Sequence, residues 1–142
     1  ERIKLHKNNE IYRDIYTKEV DFLSSHFYYL IHDQKDKILT LSKNTLENIF
    51  TNSHFKISNE DDLISLINEL YLKDKEYSTL YEYVYFENVT SKIMNKFIEV
   101  FDDKYMTHNI WQSMSKRLKR DIIIRRYKNL ELMFYLLILI YI

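Results

Sequence analysis

The 142-residue chain contains no glycine and no proline, and this double absence limits what it can fold into more than any motif it carries. Average usage would supply about 7% Gly and about 5% Pro. Turns that require positive φ fall to Asn or Asp, whose short polar side chains tolerate the left-handed region. Sites built on glycine drop out: no phosphate-cradling P-loop, no dinucleotide fingerprint, no G-x-S-x-G elbow, no EF-hand with its usual Gly. Cysteine is absent too, which removes disulfides, zinc fingers and thiol nucleophiles and fits a reducing compartment. Alanine is missing while Ile, Lys, Asn, Tyr and Phe abound. Very AT-rich coding sequence gives this bias, so the 13 tyrosines are not in themselves a functional signal.

The length suits one domain, which at this size buries roughly two-thirds of its unfolded surface. The first residue is Glu, no secretory signal is visible, and the sequence reads as beginning inside a longer protein. Residues 1–17 show no clear period. Val20, Leu23, Phe27, Leu30 and Ile31 then fall on one helical face, and the charged "HDQKDK" after them reads as a break. A cap-and-staple pattern follows, with Leu41-Ser42 before Leu46, Val89-Thr90 before Met94, and Met106-Thr107 before Trp111. In each, the hydroxyl accepts an orphan backbone N–H and the apolar pair fixes the chain's approach, a cap worth about 1 kcal/mol. Ile57-Ser58 is a variant in which Asp61 completes a capping box, and Glu60, Asp61 and Asp62 sit at the positive end of the helix dipole.

These signals predict helices near 18–32, 43–52, 59–74, 76–84, 91–102 and 108–121. Short loops between short helices imply antiparallel neighbours. The expected fold class is all-α, a stack of five to six short antiparallel helices arranged as helical hairpins. Residues 18–121 form its body, between an N-terminal segment, 1–17, and a tail, 122–142.

Catalytic chemistry finds little to work with. The histidines at 6, 26, 32, 54 and 108 include no i, i+4 pair suited to a metal and no acid at a recognisable spacing. The run Glu60-Asp61-Asp62 occupies consecutive helical positions that point in different directions, so it reads as helix-start electrostatics rather than a cation site. Asn88-Val89-Thr90 matches a glycosylation sequon, but Thr90 is accounted for as a cap. Tyr77 and Tyr81 share a helical face with Leu80 and Val84 and read as packing residues. Tyr83 and Tyr85 point towards another side, where exposed tyrosine is a common interface anchor.

Charge is segregated along the chain although its formal sum is zero. Residues 58–103 hold eleven acids and four bases, a net of −7, while residues 116–128 hold seven bases and one acid, a net of +6. The basic residues Lys116, Arg117, Lys119, Arg120, Arg125 and Arg126 precede "LELMFYLLILIYI", whose last eleven residues are all apolar. A juxtamembrane anchor has that order, though eleven residues fall short of the roughly 20 that a spanning helix needs. The competing readings are a final packed helix with Lys and Arg snorkelling at its rim, and a tail that never came under selection. Nucleic-acid binding has no aromatic interleaving or motif behind it.

Residues 22–101 resemble a known family. "DFLSSHFYYLI" is similar to the phenylalanine-bearing first helix of the BACK domain, the helical module that follows the BTB domain in BTB–kelch adaptor proteins. "LTLSKNTLENIFTNSHFKISNEDDLISLI" resembles its central signature, with Leu41, Ser42, Leu46, Ile49, Phe55, Ile57, Ser58 and Glu60 at matching positions. Val84, Tyr85 and Phe86 stand where that family writes Val-Arg-Phe, so Tyr85 replaces an arginine. The tryptophan usual near the end of the long helix is absent, its region being "ELYLKDK". No BTB domain fits before residue 22, and kelch repeats would need paired glycines.

The resemblance implies a helical adaptor whose first helix lies near a cullin scaffold of a ubiquitin ligase or a BTB domain. Phe27 would then be core, and Tyr28 and Tyr29 would lie nearest the partner. The expectation is therefore a cytoplasmic, non-enzymatic interaction or spacer module. It would use no cofactor, metal or small-molecule substrate, and its partner-facing residues would be Tyr28, Tyr29, Tyr83 and Tyr85. The alternative is a peripheral membrane protein held by its C-terminal tail.

Overall fold

The computed structural model describes residues 10–141, with side chains for residues 13–133. Residues 1–9, including His6, lie outside the described residues, as do the side chains of the terminal apolar run from residue 134. Among the described residues the fold is all-α, without strands: α1 Glu10–Ser25, α2 Phe27–Asp33, α3 Lys35–Ile38, α4 Lys43–Phe50, α5 Glu60–Lys73, α6 Ser91–Val100 and α7 His108–Tyr141. Three 3-10 segments, Lys75–Tyr83, Phe86–Asn88 and Asp103–Tyr105, fill connections.

The turns are made without the left-handed region. No described residue has positive φ, so neither Asn nor Asp stands in for glycine as expected. The chain reverses through 3-10 turns and extended residues instead, both open to any L-residue.

The predicted caps hold in part. Ser42 caps α4, its hydroxyl accepting from the Thr45 N–H at 3.3 Å, and Thr107 accepts from the Ile110 N–H at 3.3 Å. Ser58 does not cap α5. Asn59 does, its side-chain oxygen accepting from the Asp62 N–H at 2.8 Å, because an Asx side chain one residue later reaches the same orphan donors. Thr90 is not a hydroxyl cap for α6 either. Its N–H and Oγ1 both donate to the Asp61 carboxylate, each at 2.7 Å, so Asp61 ties α5 to the start of α6 rather than closing a capping box.

Several boundaries differ from the periodic reading. α1 starts at Glu10, where Tyr16, Val20 and Leu23 already face the core. The first helix is broken at His26, and the break expected in "HDQKDK" falls at Gln34, but helix resumes at once as α3, because Ile31 and Ile38 on either side of it are buried. α7 runs past residue 121 to Tyr141.

The stretch Lys75–Tyr83, expected as α-helix, is 3-10. A 3-10 helix eclipses every third side chain, and burial follows that period. Ser78, Tyr81 and Val84 form a buried row; Tyr77, Leu80 and Tyr83 form a second row against the core; Glu76 is exposed and Thr79 and Glu82 are partly so. Tyr83 therefore belongs with the packing residues, its ring set edge-on to that of Phe50 with the centroids 5.8 Å apart.

The core is centred on α5, whose Leu63, Ile64, Leu66, Ile67, Leu70 and Tyr71 are all fully buried. Around it pack α2, α6 and the 75–83 segment. One aromatic group joins Phe27, Phe50 and Phe55; another joins Tyr71, Tyr81, Phe97 and Phe101, at edge or tilted contacts except for the stacked Phe97–Phe101 pair. α1 lies on α4, stitched by the buried Ser24, whose Oγ is 2.7 Å from the Val20 carbonyl and 3.1 Å from that of Ile49.

Candidate functional site

An open groove of about 1040 Å³ runs between the end of α4, the 55–60 connection, residues 82–85 and one side of α7. Three of the four tyrosines singled out in the sequence line it. Tyr28 comes from α2, Tyr83 from the second 3-10 row, and Tyr85 from the tight turn beyond it. Tyr28 is 44% exposed and Tyr85 60%, while Tyr83 is half-buried. Tyr29 is exposed on α2 but does not line the groove.

The Val84-Tyr85-Phe86 segment forms one wall because helices on two sides hold it. From α5, the Glu60 carboxylate accepts from the Tyr85 N–H at 3.2 Å. From α7, Ser113 Oγ donates to the Val84 carbonyl at 3.0 Å and accepts from the Phe86 N–H at 3.1 Å. Further along, Arg117 donates to the carbonyls of Phe86 and Val89 and reaches Ser91 Oγ, while Arg120 donates to the Glu87 carbonyl. Arg117 is only 6% exposed. An arginine read as part of the basic block of a membrane anchor is thus a buried clamp. An Arg fork satisfies several carbonyl oxygens at once, which the local sequence pattern did not reveal.

The acids at the start of α5 part company as their consecutive positions require. Asp61 binds Thr90, Asp62 lies 3.2 Å from His32, and Glu60 turns inward to the groove. Glu60 is 9% exposed. Burial pushes its carboxyl above the ordinary range and the nearby Glu87 adds to this, while the Tyr85 N–H works against them. Sequence reading singled out Glu60 for the helix dipole and for its place in the family signature. It missed the groove, because only the folded chain brings residues 28, 60, 85 and 113 together. Glu82, on the rim, is held by Asn109 Nδ2 at 2.8 Å, and Lys56 and Lys116 line the groove as exposed lysines.

The remaining basic residues stand apart. Lys119, Arg125 and Arg126 are exposed, as is every residue from Ile122 to Met133. Among the described residues no helix is long and apolar enough to cross a membrane. In the same set no three His, Asp or Glu side chains are grouped to hold a metal ion.

No protein-family model, curated protein or solved structure matches the chain.

Proposed function

We propose that the chain is a non-enzymatic protein-interaction module that docks a partner in the groove edged by Tyr28 and Tyr85. The observation that carries this reading is the pair of exposed tyrosines on opposite elements above the buried Glu60 carboxylate. Tyrosine anchors bury a large rigid surface at small entropic cost, and such anchors dominate interface energies. The BACK resemblance over residues 22–101 supplies the partner class, a cullin scaffold or a BTB domain, with Tyr28 and Tyr29 on the element nearest it. The cysteine-free composition suits work in the cytoplasm.

Peptides selected by display on the full chain test the docking. Tyr28→Ala and Tyr85→Ala should each weaken the selected binders by about tenfold or more, near 1.4 kcal/mol, with the melting temperature unchanged. Binders indifferent to both substitutions refute the reading.

A second reading has its own observation. Ile122, Ile123, Ile124, Leu130, Leu132 and Met133 are exposed on α7 among Arg125, Arg126 and Lys128. A helix carrying apolar and basic residues together suits an anionic membrane surface. Of the six basic residues proposed for that role, Arg117 and Arg120 are engaged by the domain and Lys116 lines the groove, leaving Lys119, Arg125 and Arg126. Co-sedimentation of the full chain with phosphatidylserine vesicles, lost on joint Arg125→Glu and Arg126→Glu substitution, is the expected result. Equal recovery without vesicles excludes it.

A further inference from the structure

We infer that the groove receives a cationic side chain of the partner, an arginine above all, with Glu60 as its counter-ion; this rests on the docking reading above and specifies its chemistry. The Glu60 carboxylate is buried and accepts one hydrogen bond, from the Tyr85 N–H through Oε2. Its Oε1 has no hydrogen-bond partner among the described residues, although an ionised carboxylate offers about four acceptor positions. No ion pair of Glu60 within 4.0 Å occurs among those residues. The lysines along the groove, Lys56 and Lys116, leave it unpaired, and Glu87 nearby is of like charge. A buried charge without a partner is costly, so the groove holds an acceptor whose complement is a cation brought from outside.

The walls select the kind of cation. Tyr28, Tyr83 and Tyr85 offer rings, with Phe50 and Phe55 behind them, and a cation over an aromatic face is attracted by the ring quadrupole. A guanidinium stacks on such rings and forks onto a carboxylate. A hard metal ion takes six or more oxygen ligands, and among the described residues no three His, Asp or Glu side chains are grouped to hold one. The volume of about 1040 Å³ exceeds one side chain and suits a peptide segment that carries the arginine.

The test is a nuclear magnetic resonance titration of the full 15N-labelled chain with Nα-acetyl-arginine methylamide and with its neutral citrulline counterpart. The reporter is the Tyr85 amide, which donates to Glu60. The arginine compound should shift it saturably, with affinity at least about tenfold above that of the citrulline compound, a gap of 1.4 kcal/mol. Glu60→Gln should abolish the gap. Equal responses to the two compounds overturn the inference, and that comparison needs only the unaltered chain. If they are equal while display-selected peptides still require Tyr85, the cation is refuted and the docking groove stands. If the peptides ignore both Tyr28 and Tyr85 as well, both fall.

Discussion

The Arg117 guanidinium on α7 donates to the Phe86 carbonyl at 3.0 Å from a position only 6% exposed. It also reaches Val89 and Ser91, and Asp121 lies 3.6 Å from its Nε. Together with Ser113 and Arg120 on the same helix, it fixes the 84–91 turn, and with it the Tyr85 wall of the groove, to the last helix. Arg117→Ala leaves buried carbonyls without donors, at a cost of about 2–3 kcal/mol. Lys119→Ala, on the exposed side of the same helix, should stay within about 0.5 kcal/mol. Urea unfolding of the two variants measures the contrast; equal losses would show that Arg117 is as solvated as Lys119.

Leu70 lies at the centre of the α5 face, fully buried, with the exposed Leu72 two residues on. Leu66→Ala and Leu70→Ala should each lose about 2–5 kcal/mol by combined transfer and cavity terms. Leu72→Ala should change stability by less than about 0.5 kcal/mol. Chemical denaturation decides this, and a loss below about 0.5 kcal/mol at Leu70 would mean the buried face is misplaced.

The α5 face was legible because its apolar residues repeat at a clean helical period and its flanks carry cap residues. Ser42 and Thr107 were legible as hydroxyl caps for the same reason. The stretch 75–83 was misread because Tyr77, Leu80, Tyr81 and Val84 satisfy a 3.6 period as readily as a period of three. Only the second also explains the burial of Ser78 and the partial exposure of Thr79. Arg117 and Glu60 could not be assigned from the sequence. Each looks like an ordinary charged helix residue, and its role depends on partners at least 25 positions away.

Tyr81 tests the 3-10 assignment directly. Its hydroxyl donates to Asn68 Oδ1 at 2.6 Å with both residues buried, and burial pushes the phenol well above its ordinary range. Tyr81→Phe strands the Asn68 oxygen, for a loss of about 1–3 kcal/mol. Tyr77, in the neighbouring row, donates to the Leu41 carbonyl from a half-buried position. Tyr77→Phe should cost less, about 0.5–1.5 kcal/mol, because water can reach the carbonyl. Thermal denaturation of both variants gives the order; a larger loss at Tyr77 would place the two rows the other way round.

Glu60 sets a pH dependence whose sign follows from its surroundings. Its carboxyl is raised above 4.5 by burial first and by Glu87 second, with the Tyr85 N–H opposing. Asn109 holds Glu82 across the groove, and Lys56 and Lys116 line it without pairing to Glu60. Below pH 4.5 the group is protonated in both folded and unfolded chains, so it imposes no penalty. As pH climbs past that value the unfolded carboxyl ionises first, and the folded state loses stability until the folded carboxyl has ionised too. Glu60→Gln removes the charge and keeps an acceptor for the Tyr85 N–H. The variant should therefore be more stable than the natural chain at pH 7, with the difference closing as pH falls through 4.5. Urea unfolding of both proteins across pH 4 to 7 tests it. A natural chain more stable than Glu60→Gln at neutral pH would mean that the α5 helix dipole outweighs burial at this carboxylate.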